Sequence, residues 1–352
     1  MNSPEPGTQE WHDQVVEEVI EPALPIVDPH HHLWPPGKGF RYAMADLHAD
    51  AASGHNVTRT VFVECGAAYR DSGPADYASV GETEFVAAEA AADPTGLIGG
   101  IVAYADLRLP DLDAILDAHE AASQGLFRGI RDRMARAIEP EALMIAALAP
   151  KDLYLDPEFQ AGVSRLAARG LTFDAWLYHY QLNELVHLAR AVPETTIVLD
   201  HFATPLGVGS FAAQRDEIFE IWTRDITRLA SCDNVVVKLG GMAMPDNGFG
   251  WNAAERPPTS DEFIAAQSPY YEHTIQAFGP TRCMFESNFP VDRLSLSYRT
   301  FWNACKKMTS GYSQGERTEM FSGTASRIYR VELREAAPTR AISPGRATPY
   351  EE

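Results

Sequence analysis

Short apolar runs rich in Val, Ile, Leu and Phe recur along the whole chain and alternate with amphipathic stretches. Apolar runs of this kind are typical of parallel strands that are buried on both faces of a sheet. The pattern therefore predicts eight strands. They cover residues 24–30, 59–65, 96–104, 126–131, 171–177, 195–201, 234–241 and 282–290.

Stretches with apolar positions near a 3.6-residue period separate several of these strands and predict helices. They cover residues 76–93, 109–123, 156–170 and 181–193. Eight strands that alternate with helices predict an α/β fold, a single (β/α)₈ TIM barrel. We place the barrel at residues 24–330, after an N-terminal arm (1–23) and before a C-terminal tail (331–352) that we expect to be extended or disordered.

Two long segments interrupt the regular alternation of strands and helices. One follows the first strand (33–56) and the other follows the seventh (241–263). Both leave the carboxyl ends of strands, where barrel enzymes carry their active sites. We expect them to be lids or substrate walls, with simple capping of the barrel as the alternative.

The first predicted strand ends in the tract IVDPHHHLWPPG, which contains three consecutive histidines. Side chains two residues apart in a strand point the same way, so Asp28, His30 and His32 are expected on one face and His31 on the other. If the shared face is the barrel interior, two imidazoles converge on the barrel axis. Such a pair suits a metal site or an oxyanion site.

Polar residues also end the other predicted strands, where an uninterrupted core would have Val or Leu. Buried charges are costly unless they are paired or ligated, so a ring of polar strand ends predicts a polar site at one rim of the barrel. The residues are Glu64, Arg131, His201, Lys238, Glu286 and Asn288.

Individual roles at this rim follow from side-chain chemistry. The guanidinium of Arg131 suits a substrate carboxylate. Lys238 has either a functional role or a structural ion pair with Glu64 or Glu286. Asp200 is expected to face away from its neighbour His201. For His179, a substrate-binding candidate, strand end and loop both remain open.

Charge and composition exclude several classes of protein. The formal charge of −20, from 49 acidic and 29 basic residues, argues against nucleic-acid and anionic-membrane partners and leaves a small-molecule substrate. The four cysteines lie far apart and predict free thiols. No run approaches the length of a membrane span and the first residues lack a signal-peptide pattern, so we expect a cytoplasmic protein.

The H-x-H strand, together with VLDH (198–201), NVVVK (234–238) and MFESNFP (284–290), resembles the amidohydrolase superfamily. More narrowly, the chain from Pro25 to Tyr329 resembles the amidohydrolase-2 branch. This branch holds TIM-barrel hydrolases, lactonases of sugars and dicarboxylates, and zinc-dependent decarboxylases. The resemblance implies that His30 and His32 ligate a divalent metal and that His201 polarises or protonates the substrate.

The chain departs from the family pattern at the end of the last strand, where Asn288 replaces the usual aspartate. An amide oxygen is hardly basic, so Asn288 cannot be the general base. Three alternatives remain open. In the first, Glu286 is a base or a ligand. In the second, Asp292 reaches in from the following loop. In the third, the metal is weakly bound or absent and imidazoles transfer the protons.

With Glu64 as a further ligand, the implied metal is one divalent ion, or two, of Zn²⁺, Mn²⁺ or Fe²⁺, and a metal-free site is the alternative. The predicted function is hydrolysis of a small carboxylated or sugar-derived lactone, or of a related ester or amide. In this hypothesis His30 and His32, with a metal if one is bound, stabilise the oxyanion. Glu286 is the base, and His201 and Arg131 orient the substrate.

Two other functions remain open. One is a metal-dependent decarboxylase of the same branch. The other is a non-catalytic subunit of a barrel heteromer, in which Asn288 marks a degenerate site. A homo-oligomer is a further expectation for the assembly of this chain.

Overall fold

The computed structural model describes residues 4–333 and contains eight parallel strands in one sheet. Their order in the sheet follows their order in the chain, as in a barrel built from successive βα units. All eight predicted strands are confirmed, and the observed boundaries differ by a few residues. The strands are β1 (Pro25–His31), β2 (Asn56–Val63), β3 (Ile98–Ala103), β4 (Phe127–Arg133), β5 (Thr172–Trp176), β6 (Ile197–Leu199), β7 (Val235–Leu239) and β8 (Cys283–Phe285).

The first and last strands meet and close the sheet. The His32 N–H donates to the Phe289 carbonyl at 2.8 Å, and the Asn288 N–H donates to the His30 carbonyl at 3.0 Å. These bonds lie just beyond β8 and bring the carboxyl ends of β1 and β8 side by side. The predicted (β/α)₈ TIM barrel is confirmed.

Helices surround the barrel, and the four predicted from the periodic pattern are all present. Each is amphipathic because one face covers the sheet and the other meets solvent. The helices are α1 (Gln9–His12), α2 (Met44–Ala51), α3 (Val80–Ala92), α4 (Leu112–Ala122), α5 (Pro157–Ala168), α6 (Leu182–Ala191), α7 (Arg215–Ala230), α8 (Ser260–Phe278), α9 (Tyr298–Met308), α10 (Gln314–Thr318) and α11 (Thr324–Tyr329).

The barrel interior is apolar at the end opposite the carboxyl ends of the strands. This interior contains valines from five strands, among them Val27, Val61 and Val198. Tyr329 at the end of α11 and the following Val331 pack against them. Beta-branched side chains fill such an interior well. The polar residues at the carboxyl ends of the strands lie at the other end, where the site forms.

The described part of the N-terminal arm packs on the barrel. Trp11 is buried, and its indole N–H donates to the carbonyl of Ala254 at 3.1 Å. Lys306 of α9 donates to the carbonyls of Ile20 and Glu21 at 3.0 and 2.8 Å. The arm thus contacts the segment after β7. Beyond residue 333, the predicted tail lies outside the described residues.

Two composition-based expectations bear on the fold. All four cysteines are free thiols, as predicted. Among residues 4–333, no helix has both the length and the apolar character needed to cross a bilayer.

Candidate active site

A cavity of about 640 Å³ lies at the carboxyl ends of the strands. Its floor, as we call the four strand-end residues that line it, consists of His32, Arg131, His201 and Asn288. These come from β1, β4, β6 and β8, so the cavity is assembled by closure of the barrel. A concave site with a few convergent polar groups is the usual form of a small-molecule site.

Three loop segments supply most of the cavity walls. The predicted segments after β1 and β7 contribute Trp34, Phe40 and Met244. The third segment connects β4 to α5 and contributes residues 145–150 and Leu153. This third wall was not predicted from the sequence, although the unusually long gap between strand 4 and the following helix was a signal for it.

The first strand contains an irregularity that the alternation rule did not predict. The register of β1 against β2 shifts between Asp28 and His31, next to Pro29. Asp28 accepts hydrogen bonds from the Tyr298 hydroxyl of α9, at 2.8 Å, and from the Ser287 N–H, at 2.9 Å. The prediction that Asp28 shares a face with His30 is therefore wrong, because Asp28 faces the helix layer.

The chain after β6 turns in the left-handed region, which L-residues seldom adopt. From His201 to Thr204 the φ angles are 53°, 55°, 60° and 40°. Each such residue costs roughly 1–2 kcal/mol, and such strain persists where surrounding contacts hold it and clusters at functional sites. Trp176 donates to the Thr204 hydroxyl at 3.1 Å and Trp222 donates to a carbonyl of the turn at 2.7 Å.

This left-handed turn directs both Asp200 and His201 into the barrel. Asp200 Oδ1 lies 3.0 Å from Lys238 Nζ, and His201 Nδ1 lies 2.7 Å from Glu286 Oε1. The prediction that Asp200 faces away from His201 is wrong, because two-residue alternation ends with the strand at Leu199.

Glu286 joins two of the histidines beneath the floor. Its second oxygen, Oε2, lies 2.8 Å from His30 Nδ1, and both side chains are fully buried. Burial lowers the pKa of His201 to about 3. His201 is therefore neutral near pH 7, with Nδ1 bonded to Glu286 and Nε2 left for a group in the cavity.

His32 has a similar arrangement. Its Nδ1 lies 2.8 Å from the carbonyl oxygen of Val63, which can only accept, so Nδ1 carries the ring proton. Burial holds the pKa of His32 well below its usual value. Two neutral imidazoles, each with an acceptor nitrogen available to the cavity, therefore form part of the floor.

Lys238 lies below the floor in a buried ion network. Its Nζ is 2.8 Å from Asp174 Oδ2 and 3.0 Å from Asp200 Oδ1. The Tyr329 hydroxyl, at the end of α11, also donates to Asp174, at 2.5 Å. Lys238 thus pairs with these two aspartates rather than with Glu64 or Glu286. Burial lowers the pKa of Lys238, but the two aspartates outweigh burial and raise it.

Arg131 is held at the edge of the cavity by carboxylates. Its Nε donates to Glu64 Oε1 at 3.0 Å, and its Nη1 donates to Asp200 Oδ2 at 3.4 Å. Its guanidinium also lies 5.8 Å from the ring centre of Trp176. Glu64 therefore contacts this arginine, and the guanidinium carries two acidic partners before any substrate binds.

Two predicted substrate-binding residues are placed away from the described lining of the cavity. His179 begins a short helical turn (His179–Gln181) and its Nδ1 accepts from the Leu206 N–H at 3.3 Å. Asp292 accepts from Asn288 Nδ2 at 2.9 Å and from the Ala243 N–H at 3.0 Å. Asp292 thus positions the Asn288 amide.

One group among the described residues has ligand atoms close enough together for a metal ion. It comprises His30, Asp200 and His201, whose ligand atoms lie within 4.8 Å of one another. Of the residues predicted to hold a metal, only His30 belongs to it. Lys238 Nζ lies 3.0 Å from Asp200 Oδ1 and 3.3 Å from His30 Nδ1. Two of its three members therefore already contact an ammonium ion, which would oppose a divalent ion bound beside it.

The fold and the strand-end residues define a (β/α)₈ barrel with a polar site built from histidines, carboxylates and two buried cations. The family model described as Amidohydrolase matches residues 27–331. The chain therefore belongs to the amidohydrolase family.

Individual relatives cover much of the chain. The uncharacterized protein y4mH of Sinorhizobium fredii is 34% identical over 329 residues, which cover 88% of this chain and 99% of that protein. An L-fucono-1,5-lactonase of Burkholderia ambifaria is 28% identical over 245 residues, 68% of this chain and 73% of its own length. An amidohydrolase from Burkholderia multivorans, crystallised with bound zinc, has a TM-score of 0.68 at 24% identity, with 87% and 99% of the two chains covered, and shares the fold.

Proposed function

We propose that this protein is a hydrolase that opens a small lactone, sugar-derived or carboxylated, by attack of water on the ring carbonyl. The observation that carries the proposal is the pairing of Glu286 with His201 at 2.7 Å, since it leaves Nε2 of a neutral imidazole available to the cavity. The similarity to an L-fucono-1,5-lactonase favours a lactone over an amide.

His201 is the general base in this proposal. Its Nε2 takes a proton from water as the water oxygen bonds to the carbonyl carbon. The carboxylate of Glu286 then stabilises the imidazolium through Nδ1–H, as the aspartate does in serine hydrolases. Nε2 of His32 is a second acceptor that orients the same water molecule.

The rest of the floor acts on the carbonyl and the leaving oxygen. The guanidinium of Arg131 faces the developing oxyanion, where a positioned positive charge stabilises the transition state. The tetrahedral intermediate collapses as the bond from carbon to the ring oxygen breaks. The imidazolium of His201 protonates that oxygen, and the product is a hydroxy acid.

These roles differ from the sequence-based hypothesis in two respects. Glu286 positions the base and is no longer the base itself, because both of its oxygens face buried imidazoles. His30 and Lys238 lie beneath the floor and position Glu286 and Asp200. No step in this mechanism depends on a metal.

The test is acid release from a panel of lactones, measured with a pH indicator above the uncatalysed rate. We expect His201→Asn to lower kcat by about 10²–10⁴-fold, the usual contribution of a general base. His179→Asn is the matched control, because His179 is a buried histidine outside the cavity lining and the amide oxygen of asparagine can replace its acceptor nitrogen.

Two outcomes would contradict the proposal. One is a His201→Asn variant that keeps the wild-type rate while His179→Asn behaves in the same way. The other is release of carbon dioxide from an aromatic carboxylate with no lactone turnover, which would favour the decarboxylase alternative.

A further inference from the structure

Acidic residues form one wall of the cavity, beside the floor. Asp106, Arg108 and Asp132 line this wall together with Tyr104. The first two are already paired, since Arg108 donates to both oxygens of Asp106 at 3.0 Å. The charge on Arg108 is therefore largely satisfied within the wall.

Asp132 is different from its neighbours. It is 7% exposed, and the one hydrogen bond that it receives among the described residues is a long one, 3.5 Å, from the Leu107 N–H. No described arginine or lysine forms a salt bridge with it. A buried carboxylate without a salt-bridge partner is costly, so its retention needs a reason other than stability.

The mechanism proposed above does not use Asp132. Burial and the nearby Asp106 raise the pKa of Asp132 to about 7, so the group exchanges between carboxylate and carboxylic acid near neutral pH. Both forms accept a hydrogen bond from a hydroxyl group. The carboxylate form repels a second carboxylate, and the protonated form offers it only a single O–H donor.

The two described cations that line the cavity, Arg108 and Arg131, are already paired with carboxylates. Arg108 is held by Asp106, and Arg131 is held by Glu64 and Asp200. A dicarboxylate would have to compete with these resident acids for each guanidinium. A neutral ligand would not.

Aromatic side chains complete the chemistry of the cavity. The rings of Trp34, Tyr104 and Trp176 line it. Aromatic rings offer an apolar surface beside a polar group, which suits the C–H face of a saturated ring that also carries hydroxyls.

We infer that Asp132 is a specificity-determining residue that accepts a hydrogen bond from a ring hydroxyl of an uncharged, polyhydroxylated lactone. This inference rests on the lactone hydrolysis proposed above and names the substrate class of the same cavity. A site built to bind a hydroxyl discriminates strongly against analogues that lack it, because its polar group is then left without a partner.

The experiment compares three substrates. Glucono-1,5-lactone carries hydroxyls, δ-valerolactone has the same ring without them, and 2-pyrone-4,6-dicarboxylate carries two charges. We expect the wild type to prefer glucono-1,5-lactone. Asp132→Ala should lower kcat/KM for it by about tenfold or more, mainly through KM, as for loss of one hydrogen bond to a charged group.

Asp132→Ala should change the turnover of δ-valerolactone by less than about twofold, because this substrate has no hydroxyl for Asp132 to bind. Asp132→Asn, which keeps an acceptor oxygen, should restore part of the loss. Asp117→Ala on the outer face of α4, where the side chain is exposed, is the control. Equal losses on both neutral lactones, or a wild-type preference for the dicarboxylate, would overturn the inference.

A binding measurement separates this inference from the proposed function. 1,5-Anhydroglucitol has the hydroxylated ring without the carbonyl, and calorimetry measures its affinity for the wild type and for Asp132→Ala. Binding that weakens about tenfold in the variant, without turnover of any lactone, would refute hydrolysis and support the hydroxyl-binding role. Binding that is absent or unchanged in the variant would overturn that role even if lactones are hydrolysed.

Discussion

Replacement of Lys238 by methionine tests whether the ammonium ion holds the interior of the barrel together. Methionine has a similar length but no charge, so it leaves Asp174 and Asp200 fully buried without their cation. At an effective dielectric constant of about 20, an ion pair at 3 Å contributes roughly 5–6 kcal/mol before desolvation. The two contacts here are 2.8 and 3.0 Å long.

Desolvation of the ammonium offsets much of that attraction. Removal of one partner from a buried ion pair typically costs about 3–5 kcal/mol, because the remaining charge is left uncompensated. We expect Lys238→Met to lose about that much free energy of unfolding. This is a large part of the roughly 5–15 kcal/mol that stabilises an ordinary domain.

Urea unfolding followed by tryptophan fluorescence measures this loss, since the chain contains six tryptophans. The double variant Lys238→Met/Asp174→Asn should recover part of the stability, because it removes one of the two orphaned charges. Lys151→Met is the control at a lysine whose side chain is 75% exposed. If Lys238→Met changed the unfolding free energy no more than the control, the ammonium would not hold the network.

Three further predictions concern the site and its surroundings. Gly241 has φ 71°, and an added Cβ would lie 2.2 Å from His201 Nδ1. Gly241→Ala should therefore lower kcat and destabilise the fold by at least about 1–2 kcal/mol. Steady-state kinetics and urea unfolding measure the two effects. Asp132 has a pKa of about 7 in the folded state and about 4 in the unfolded state. Its contribution to the free energy of unfolding is therefore fully present below pH 4 and is lost as the pH rises through 7. Urea unfolding at several pH values should therefore show that the free energy of unfolding of the wild type falls by up to about 4 kcal/mol, relative to Asp132→Asn, between pH 4 and 7. The same pH dependence in both proteins would contradict this. The rate of lactone hydrolysis should change by less than about twofold after treatment with EDTA. A loss of activity that Zn²⁺ restores would refute the role assigned to the Lys238 ammonium ion.

The strands could be predicted from sequence because a parallel barrel buries both faces of every strand. Each strand is then a short apolar run that stands out against the amphipathic helices. The exception within β1 has a local cause. Pro29 lies where the register shifts, and the shift places Asp28 in the helix layer. A rule based on two-residue alternation does not predict such a shift.

The residue types at the strand ends were predictable, but their pairing was not. His32, Arg131 and His201 do line one cavity, as expected for polar residues at the carboxyl ends of barrel strands. The partners come from strands far apart in sequence. Asp174 was missed although an acid inside a buried strand is itself a signal, and Asp200 was misplaced because the left-handed turn after β6 contains no glycine.

The charge balance of the interior connects the ion network to the choice of substrate. Burial raises the pKa of both Asp174 and Glu286 and Lys238 opposes that rise, so the interior already disfavours further negative charge. A carboxylated substrate would add negative charge to this interior, and it would meet Asp132 at the wall. An uncharged ring adds none and brings hydroxyl donors. The electrostatics beneath the floor and the acid in the wall thus favour the same class of ligand. Among the side chains that the structure describes, this interior contains four buried carboxylates and two cations. The carboxylates are Glu64, Asp174, Asp200 and Glu286, and the cations are Arg131 and Lys238.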